Sequence, residues 1–246
     1  MTNHGLAYPR ILLKYSGEVL KGSSAFGVEP QAIEYVVNSI KELRDMGVQV
    51  AIVLGGGNFH RGKNLLPAGF DQAKSDQMGM LATVINGIAL QHSLVSHGIA
   101  STVFSAIPMT GFVQTYDIEV ARQTLDKGEV IICAGGTGQP FFTTDTAACL
   151  RAIELKADVV LKATKVDGVY SKDPIKHADA TRYDFLTFDE VIQQKLEVMD
   201  ITAICMCAEH QMPIQVFNMN DQSALQKIVK GEQVGTLVGV KHVART

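Results

Sequence analysis

Short, uniformly apolar runs alternate along the chain with longer stretches in which apolar residues recur every three or four positions. Residues 10–14 form the first apolar run. Over 30–46, Ile33, Val36, Val37, Ile40 and Leu43 share one face at helical period. Gly47 follows, where a helix C-cap favours glycine. Residues 48–54 make a second run of strand length, ending in Gly55-Gly56-Gly57. The same alternation predicts helices over 75–97, 117–127 and 144–156, with strands over 99–104, 129–134 and 158–163. Beyond Gly168 the pattern loosens through Asp173-Pro174. It resumes with helices near 188–194 and 201–210, a strand over 214–218 and a helix over 222–230. Strands buried on both faces read as continuous apolar runs, as in parallel sheets flanked by helices. The order therefore predicts an α/β fold with an open, mainly parallel central sheet and helices on both faces. No composition break marks a linker, and no repeat of ~20–50 residues appears. Residues 1–246 are read as one domain, with short disordered tails at 1–8 and 241–246.

Composition narrows the functional classes. With 46% apolar and 19% charged residues the chain is not disordered by low hydrophobicity. Lys and Arg number 22 against 25 Asp and Glu, a net charge of −3, which argues against a nucleic-acid partner. No unbroken apolar run reaches the ~18–20 residues of a membrane helix, and the first ten residues hold no apolar signal core. These features predict a soluble cytoplasmic protein with no membrane partner. The four cysteines form no Cys-x-x-Cys pair and are read as buried and reduced.

Ligands of open α/β sheets bind at the carboxyl ends of strands, and three such ends are unusual here. They carry Lys14-Tyr15-Ser16-Gly17, then Gly55-Gly56-Gly57-Asn58 followed by Arg61-Gly62, then Gly135-Gly136-Thr137-Gly138 followed by Thr143-Thr144-Asp145. Glycines let backbone N–H groups turn towards an anion, and a helix N-terminus adds positive potential. Each feature alone has a plain structural reading: a solvated strand exit for Lys14, a tight turn for the glycines, a helix cap for Thr144 and Asp145. Their recurrence at successive strand ends points to two anionic groups brought together. Gly57-Asn-Phe-His-Arg-Gly62-Lys63 matches seven positions of the P-loop pattern, but Asn64 lacks the hydroxyl that ligands magnesium. No Gly-x-Gly-x-x-Gly dinucleotide fingerprint occurs at either turn.

The same residues resemble those of a known family. Ile11-Leu-Leu-Lys-Tyr-Ser-Gly-Glu18, Gly55-Gly-Gly-Asn58, Asp76-Gln-Met-Gly-Met-Leu-Ala-Thr-Val-Ile-Asn86 and Gly136-Thr-Gly-Gln-Pro-Phe-Phe-Thr-Thr-Asp145 occur in order. Ala157-Asp-Val-Val-Leu-Lys-Ala-Thr-Lys-Val-Asp-Gly-Val-Tyr170, Asp173-Pro174 and Val198-Met-Asp200 follow. Together they closely resemble the bacterial uridylate (UMP) kinases of the amino acid kinase superfamily. The resemblance implies transfer of a phosphoryl group from MgATP to UMP, giving ADP and UDP for pyrimidine nucleotide synthesis. It implies Lys14, Tyr15, Ser16, Gly17, Gly57 and Arg61 on the ATP phosphates, with Thr164, Tyr170 and Asp173 along the adenosine. It implies Gly56, Asp76, Thr137, Gly138, Gln139, Pro140, Phe141, Phe142, Thr143 and Thr144 around UMP. Lys14, Arg61, Asp145 and Asp200 are the implied catalytic group; Asp200 could orient Lys14, and Asp145 could assist magnesium or the lysine. Mg²⁺ would ride on the nucleotide phosphates, with no dedicated ligand cage.

Family members are commonly homohexamers activated by GTP and inhibited by UTP, and Gly22, Ser23, Ser24, Ala25, Phe26 and Gly27 fit the segment implicated in GTP activation. Gln91-His92 and Thr102 depart from some GTP-activated relatives, His60 stands where a large aromatic is usual, and Gln139 replaces a frequent Asn. Two rivals remain open: a non-catalytic nucleotide-binding protein of the same fold, and a superfamily enzyme acting on a carboxylate or carbamate.

Overall fold

The structure is a computed structural model and describes residues 5–60 and 69–240. Its strands are β1 (Arg10–Tyr15), β2 (Gln49–Leu54), β3 (Ser101–Ser105), β4 (Gln114–Thr115), β5 (Val130–Ala134) and β6 (Val159–Thr164). They continue with β7 (Val169–Tyr170), β8 (Arg182–Tyr183), β9 (Phe185–Thr187), β10 (Ile214–Asn218) and β11 (Thr236–Gly239). The helices are α1 (Pro30–Asp45), α2 (Gln72–Ser96), α3 (Ile118–Asp126), α4 (Thr144–Glu154), α5 (Phe188–Gln193), α6 (Ile201–Glu209) and α7 (Ala224–Val229).

One sheet runs β4-β3-β5-β2-β1-β6-β10-β11-β9, and every pair in it is parallel except β10 with β11. β7 and β8 form a separate antiparallel pair. Side chains alternate across a strand, so each central strand feeds two cores. Ile11, Leu13, Val50, Ile52 and Leu161 pack on the side of α1, α2 and α7. Leu12, Ala51, Val53 and Val160 pack on the side of α3, α4 and α6. This double burial is why the strands read as continuous apolar runs, and it gives the predicted α/β architecture.

α1 starts with Pro30 at its first turn and buries the five predicted apolar residues. Gly47 beyond its end takes a positive φ of 85°, a conformation that favours glycine. α2 begins three residues before the predicted start, because the Asp71 side chain caps it by accepting from the Lys74 N–H. Asp76 therefore lies in the second turn. At 25 residues, with an 18-residue stretch of mean hydropathy 1.3, α2 has the length and composition of a membrane-crossing helix, a match that a search for unbroken runs passes over. Its buried side packs on β2, β3 and β5.

The sequence pattern missed β4, β7, β8, β9 and β11. All are short, at two to four residues; β4 and β9 are the sheet edges, β7 and β8 lie in the polar stretch, and β11 is paired between β10 and β9. Within the expected tail at 1–8, residues 1–4 lie outside the described residues, while Ala7 and Tyr8 donate their N–H groups to the Val229 carbonyl at the end of α7. Residues 241–246 also lie outside the described residues.

Candidate active site

β5, β2, β1 and β6 are consecutive parallel strands, so their carboxyl ends line one edge of the sheet. Lys14 on β1 stands opposite Lys162 on β6 in the register. Asp145, in the first turn of α4, sits between the two ammonium groups. Lys14 Nζ lies 2.5 Å from Asp145 Oδ1 in an ion pair. Lys162 Nζ donates to Asp145 Oδ2 at 2.8 Å and to the Val198 carbonyl at 2.5 Å. All three side chains are largely buried. Burial alone would raise the Asp145 carboxyl, but the two lysines outweigh it and hold the group below the usual carboxylate range. Lys162 is moved below the ordinary lysine value by burial, with Lys14 adding to the shift and Asp145 opposing it.

Asp200 caps α6, accepting from the Ala203 N–H at 3.0 Å, and also accepts from the hydroxyls of Thr146 (2.9 Å) and Thr143. Thr143 in turn caps α4 by accepting from the N–H groups of Asp145 and Thr146. Two helix N-termini thus converge on the lysine pair and supply positive potential there. Of the two carboxylates considered as partners of Lys14, Asp145 is the one that meets it, while Asp200 is engaged by Thr143, Thr146 and the Ala203 N–H. Arg61 lies outside the described residues.

The glycine turns meet at close range. A Cβ on Gly17 would fall 2.5 Å from the Gly55 carbonyl, and one on Gly56 would fall 2.8 Å from the Gly79 carbonyl of α2, so neither position admits a side chain unless the backbone shifts. Asn58 and Asn86 lock this contact with a reciprocal amide pair at 2.9 and 2.7 Å. The second Nδ2 hydrogens go to the Gly27 carbonyl from Asn58 and to the Gly55 carbonyl from Asn86. Tyr15 was expected on the ATP phosphates, but its ring is buried in the α1 core, and its carbonyl already accepts from the Gly55 N–H. Ser16 caps a single turn of 3-10 helix over Gly17–Val19. The segment of Gly22 to Gly27 packs on the same turn, with the Gly27 N–H donating to the Asn58 carbonyl.

A cavity of about 290 Å³ opens between α2 and the loop before α4. Of the expected UMP residues, Gly56, Asp76, Thr137, Phe142, Thr143 and Thr144 line it. Gly138, Gln139 and Pro140 belong to the same loop without lining the cavity, and Phe141 is exposed. Asp76 ties the loop down: its Oδ2 accepts from the Phe141 N–H at 2.8 Å, and Phe141 takes a positive φ of 71°, strained for a non-glycine residue. A second cavity, of about 530 Å³, holds Tyr170 and Asp173 together with Lys172, Lys176 and Glu197. Thr164 does not line it; its hydroxyl donates to the Val166 carbonyl at 2.6 Å.

Sequence reading missed Lys162, and also Ser75, Gly79 and Thr83, which line the first cavity from one face of α2. Their spacing of four was a usable signal, since residues i, i+4 and i+8 share a helix face. His60 lines the same cavity, its Nε2 3.1 Å from the Ser75 hydroxyl. The other departures are engaged within the fold: Gln91 donates to the Ser101 carbonyl and Thr102 to Glu129.

Glycine turns, paired strand-end lysines and two helix N-termini facing an open edge make a phosphate-handling α/β enzyme. The chain belongs to the amino acid kinase family, whose model matches residues 9–218. Within that family the similarity is to uridylate kinases. The chain is 56% identical over 237 residues to Uridylate kinase of Legionella pneumophila (strain Corby), with 96% of each chain covered. Among solved structures, the UMP kinase of Bacillus anthracis superposes with a TM-score of 0.92 at 35% identity, covering 94% of this chain and 96% of that one. The UMP kinase of Ureaplasma parvum gives 0.88 at 34%, covering 94% and 98%.

Proposed function

We infer that this chain is a UMP kinase, a phosphotransferase that moves the γ-phosphoryl group of ATP onto the phosphate of UMP. The observation that carries this reading at the level of the site is the Lys14–Asp145–Lys162 cluster beside the cavity that Asp76 and Thr143 line. We assign UMP to that cavity, with Asp76 on the ribose hydroxyls, and the adenosine of ATP to the cavity of Tyr170 and Asp173. An oxygen of the UMP phosphate attacks the γ-phosphorus as the bond to the ADP oxygen breaks. That nucleophile is already anionic, so no strong general base is required. Positioning and charge stabilisation dominate such transfers. We place Lys14 and Arg61 against the charge on the moving group, with Ser16, Gly17 and Gly57 offering backbone N–H groups to the phosphates.

Mg²⁺ fits as a metal carried by ATP, where it would neutralise phosphate charge. Among the described residues no three His, Cys, Asp or Glu side chains are grouped to hold a metal. Asp145 is committed to two lysines and Asp200 to the Ala203 N–H and the Thr143 and Thr146 hydroxyls, so the metal would be held mainly by the nucleotide phosphates and water. A cytoplasmic location accords with those proposed substrates. The purified protein, given UMP, ATP and Mg²⁺, is expected to form UDP; folded protein that forms none above background overturns the reading. A panel of UMP, CMP and dUMP reads the base and the 2′-hydroxyl, and GTP or UTP added to the same assay reads regulation through residues 22–27. Lys14→Ala is expected to lower kcat by at least a thousandfold while UMP affinity stays within a few fold.

We propose that the chain self-associates, as in a homohexamer, through the outer side of α2. Met78, Leu81, Ile85, Ile88 and Val95 are exposed there at alternating three- and four-residue steps, apart from the position of His92. An exposed apolar stripe of this length marks an interaction surface. Light scattering is expected to give an oligomer for the wild type and a smaller species for Ile85→Arg; a monomeric wild type ends the proposal.

A further inference from the structure

Asp145 has one negative charge and two lysines. With Lys14 alone it would form a neutral pair, and the Lys14 charge would be spent on the carboxylate. The second ammonium changes that balance. Lys162 takes Oδ2 and is itself pinned by the Val198 carbonyl, while Lys14 meets only Oδ1 among the described residues. The three charges sum to +1, in a region where each side chain is at most 17% exposed and solvent screening is weak. The opposed register of β1 and β6 fixes this geometry, because Lys14 and Lys162 are direct neighbours across the sheet. Val198 O belongs to the segment leading into Asp200 at the α6 N-terminus, so Lys162 also ties that segment to α4.

We propose that Lys162 is a positioning residue for phosphoryl transfer: by holding and neutralising Asp145, it leaves the charge of Lys14 available to the transferring group. This rests on the UMP kinase reading, and it assigns Lys162 no contact with either nucleotide. Lys162 acts through Asp145, so its loss depresses turnover and leaves substrate binding in place. Asp145 also loses one of the two cations that keep it ionised.

Lys162→Met and Lys162→Gln separate charge from structure, since the glutamine can still donate to the Val198 carbonyl. Both variants are expected to lose at least 100-fold in kcat with KM for UMP and ATP within threefold of wild type. The acid limb of the kcat–pH profile is expected to move upward. Lys162→Cys treated with 2-bromoethylamine, which rebuilds an ammonium of nearly lysine length, is expected to recover at least tenfold, beside wild type treated to account for exposed Cys205. A kcat within threefold of wild type in Lys162→Gln overturns the proposal. So does a fall in thermal midpoint with a parallel rise in KM that aminoethylation leaves unchanged. The Asp145 carboxyl, followed by ¹³C NMR against Asp145→Asn, is expected to titrate at higher pH in Lys162→Gln than in wild type. An unchanged midpoint overturns the proposal even if no UDP is formed, whereas absence of UDP from wild type alone removes the UMP kinase reading.

Discussion

The two cavities are walled by different physics. Around the first, polar groups are buried and matched: Asn86 is fully buried in its amide pair with Asn58, and Asp145 is closed between two lysines. Around the second, the wall comes from the stretch between β6 and α6, where ion pairs lie at the surface. Arg182 meets Asp167 and Asp184, Lys172 meets Asp179, and Lys176 meets Asp173, with several of these side chains more than half exposed. Buried polar groups are expensive to leave unpaired, so their partners fix geometry. Exposed pairs compete with water and fix little. The first wall is therefore rigid, as the proposed UMP site beside the reacting phosphates requires. The second is adaptable, as the proposed adenosine site allows.

The largest test of this contrast is Asp145→Asn. It leaves two neighbouring lysines without their counter-charge, and breaking such a buried pair costs about 3–5 kcal/mol. A fall of roughly 10 °C in thermal midpoint is expected, from about 2–4 °C per kcal/mol at this size. The same pair makes stability depend on pH. The folded Asp145 carboxyl lies below its ordinary value, so its contribution is complete above the unfolded-state value near ~4 and is lost as pH falls through the folded value. Acid titration of stability is expected to be shallower in Asp145→Asn than in wild type.

Asn86→Leu is the intermediate case. It strands the Asn58 amide and the Gly55 carbonyl in the core, with an expected loss of about 1–3 kcal/mol by chemical denaturation. Arg182→Ala should be smallest, within about 1 kcal/mol, because it removes exposed pairs. An Arg182→Ala loss equal to that of Asn86→Leu would break the contrast between the two walls.

Legibility in the sequence follows the same division. The central strands and long helices are visible because burial on two faces or on one stripe imprints a period, as in residues 48–54 and 30–46. β7, β8 and β9 are two or three residues long in a half-exposed stretch, too short to imprint one. Lys14, Asp76 and Asp145 stand out as polar residues at strand ends or near helix starts. Lys162 does not, since no glycine turn follows it as Ser16-Gly17 follows Lys14. Its meaning comes from register with a strand far away in the chain. The partner of Lys14 is undecided in the sequence for the same reason: Asp145 lies in the first turn of α4 and Asp200 caps α6, and only packing tells them apart.

The strict two-residue alternation of β1 and β6 has a consequence for how the gene can change. Lys14 and Lys162 share the α4 side of the sheet because each sits an even number of positions from Leu12 and Val160, which pack there. Replacing one residue perturbs one contact and can be graded. Inserting or deleting a single residue upstream in either strand would turn its lysine into the opposite core and leave Asp145 with a hydrocarbon neighbour. At these strands the tolerated changes are substitutions, and a length polymorphism amounts to loss of function.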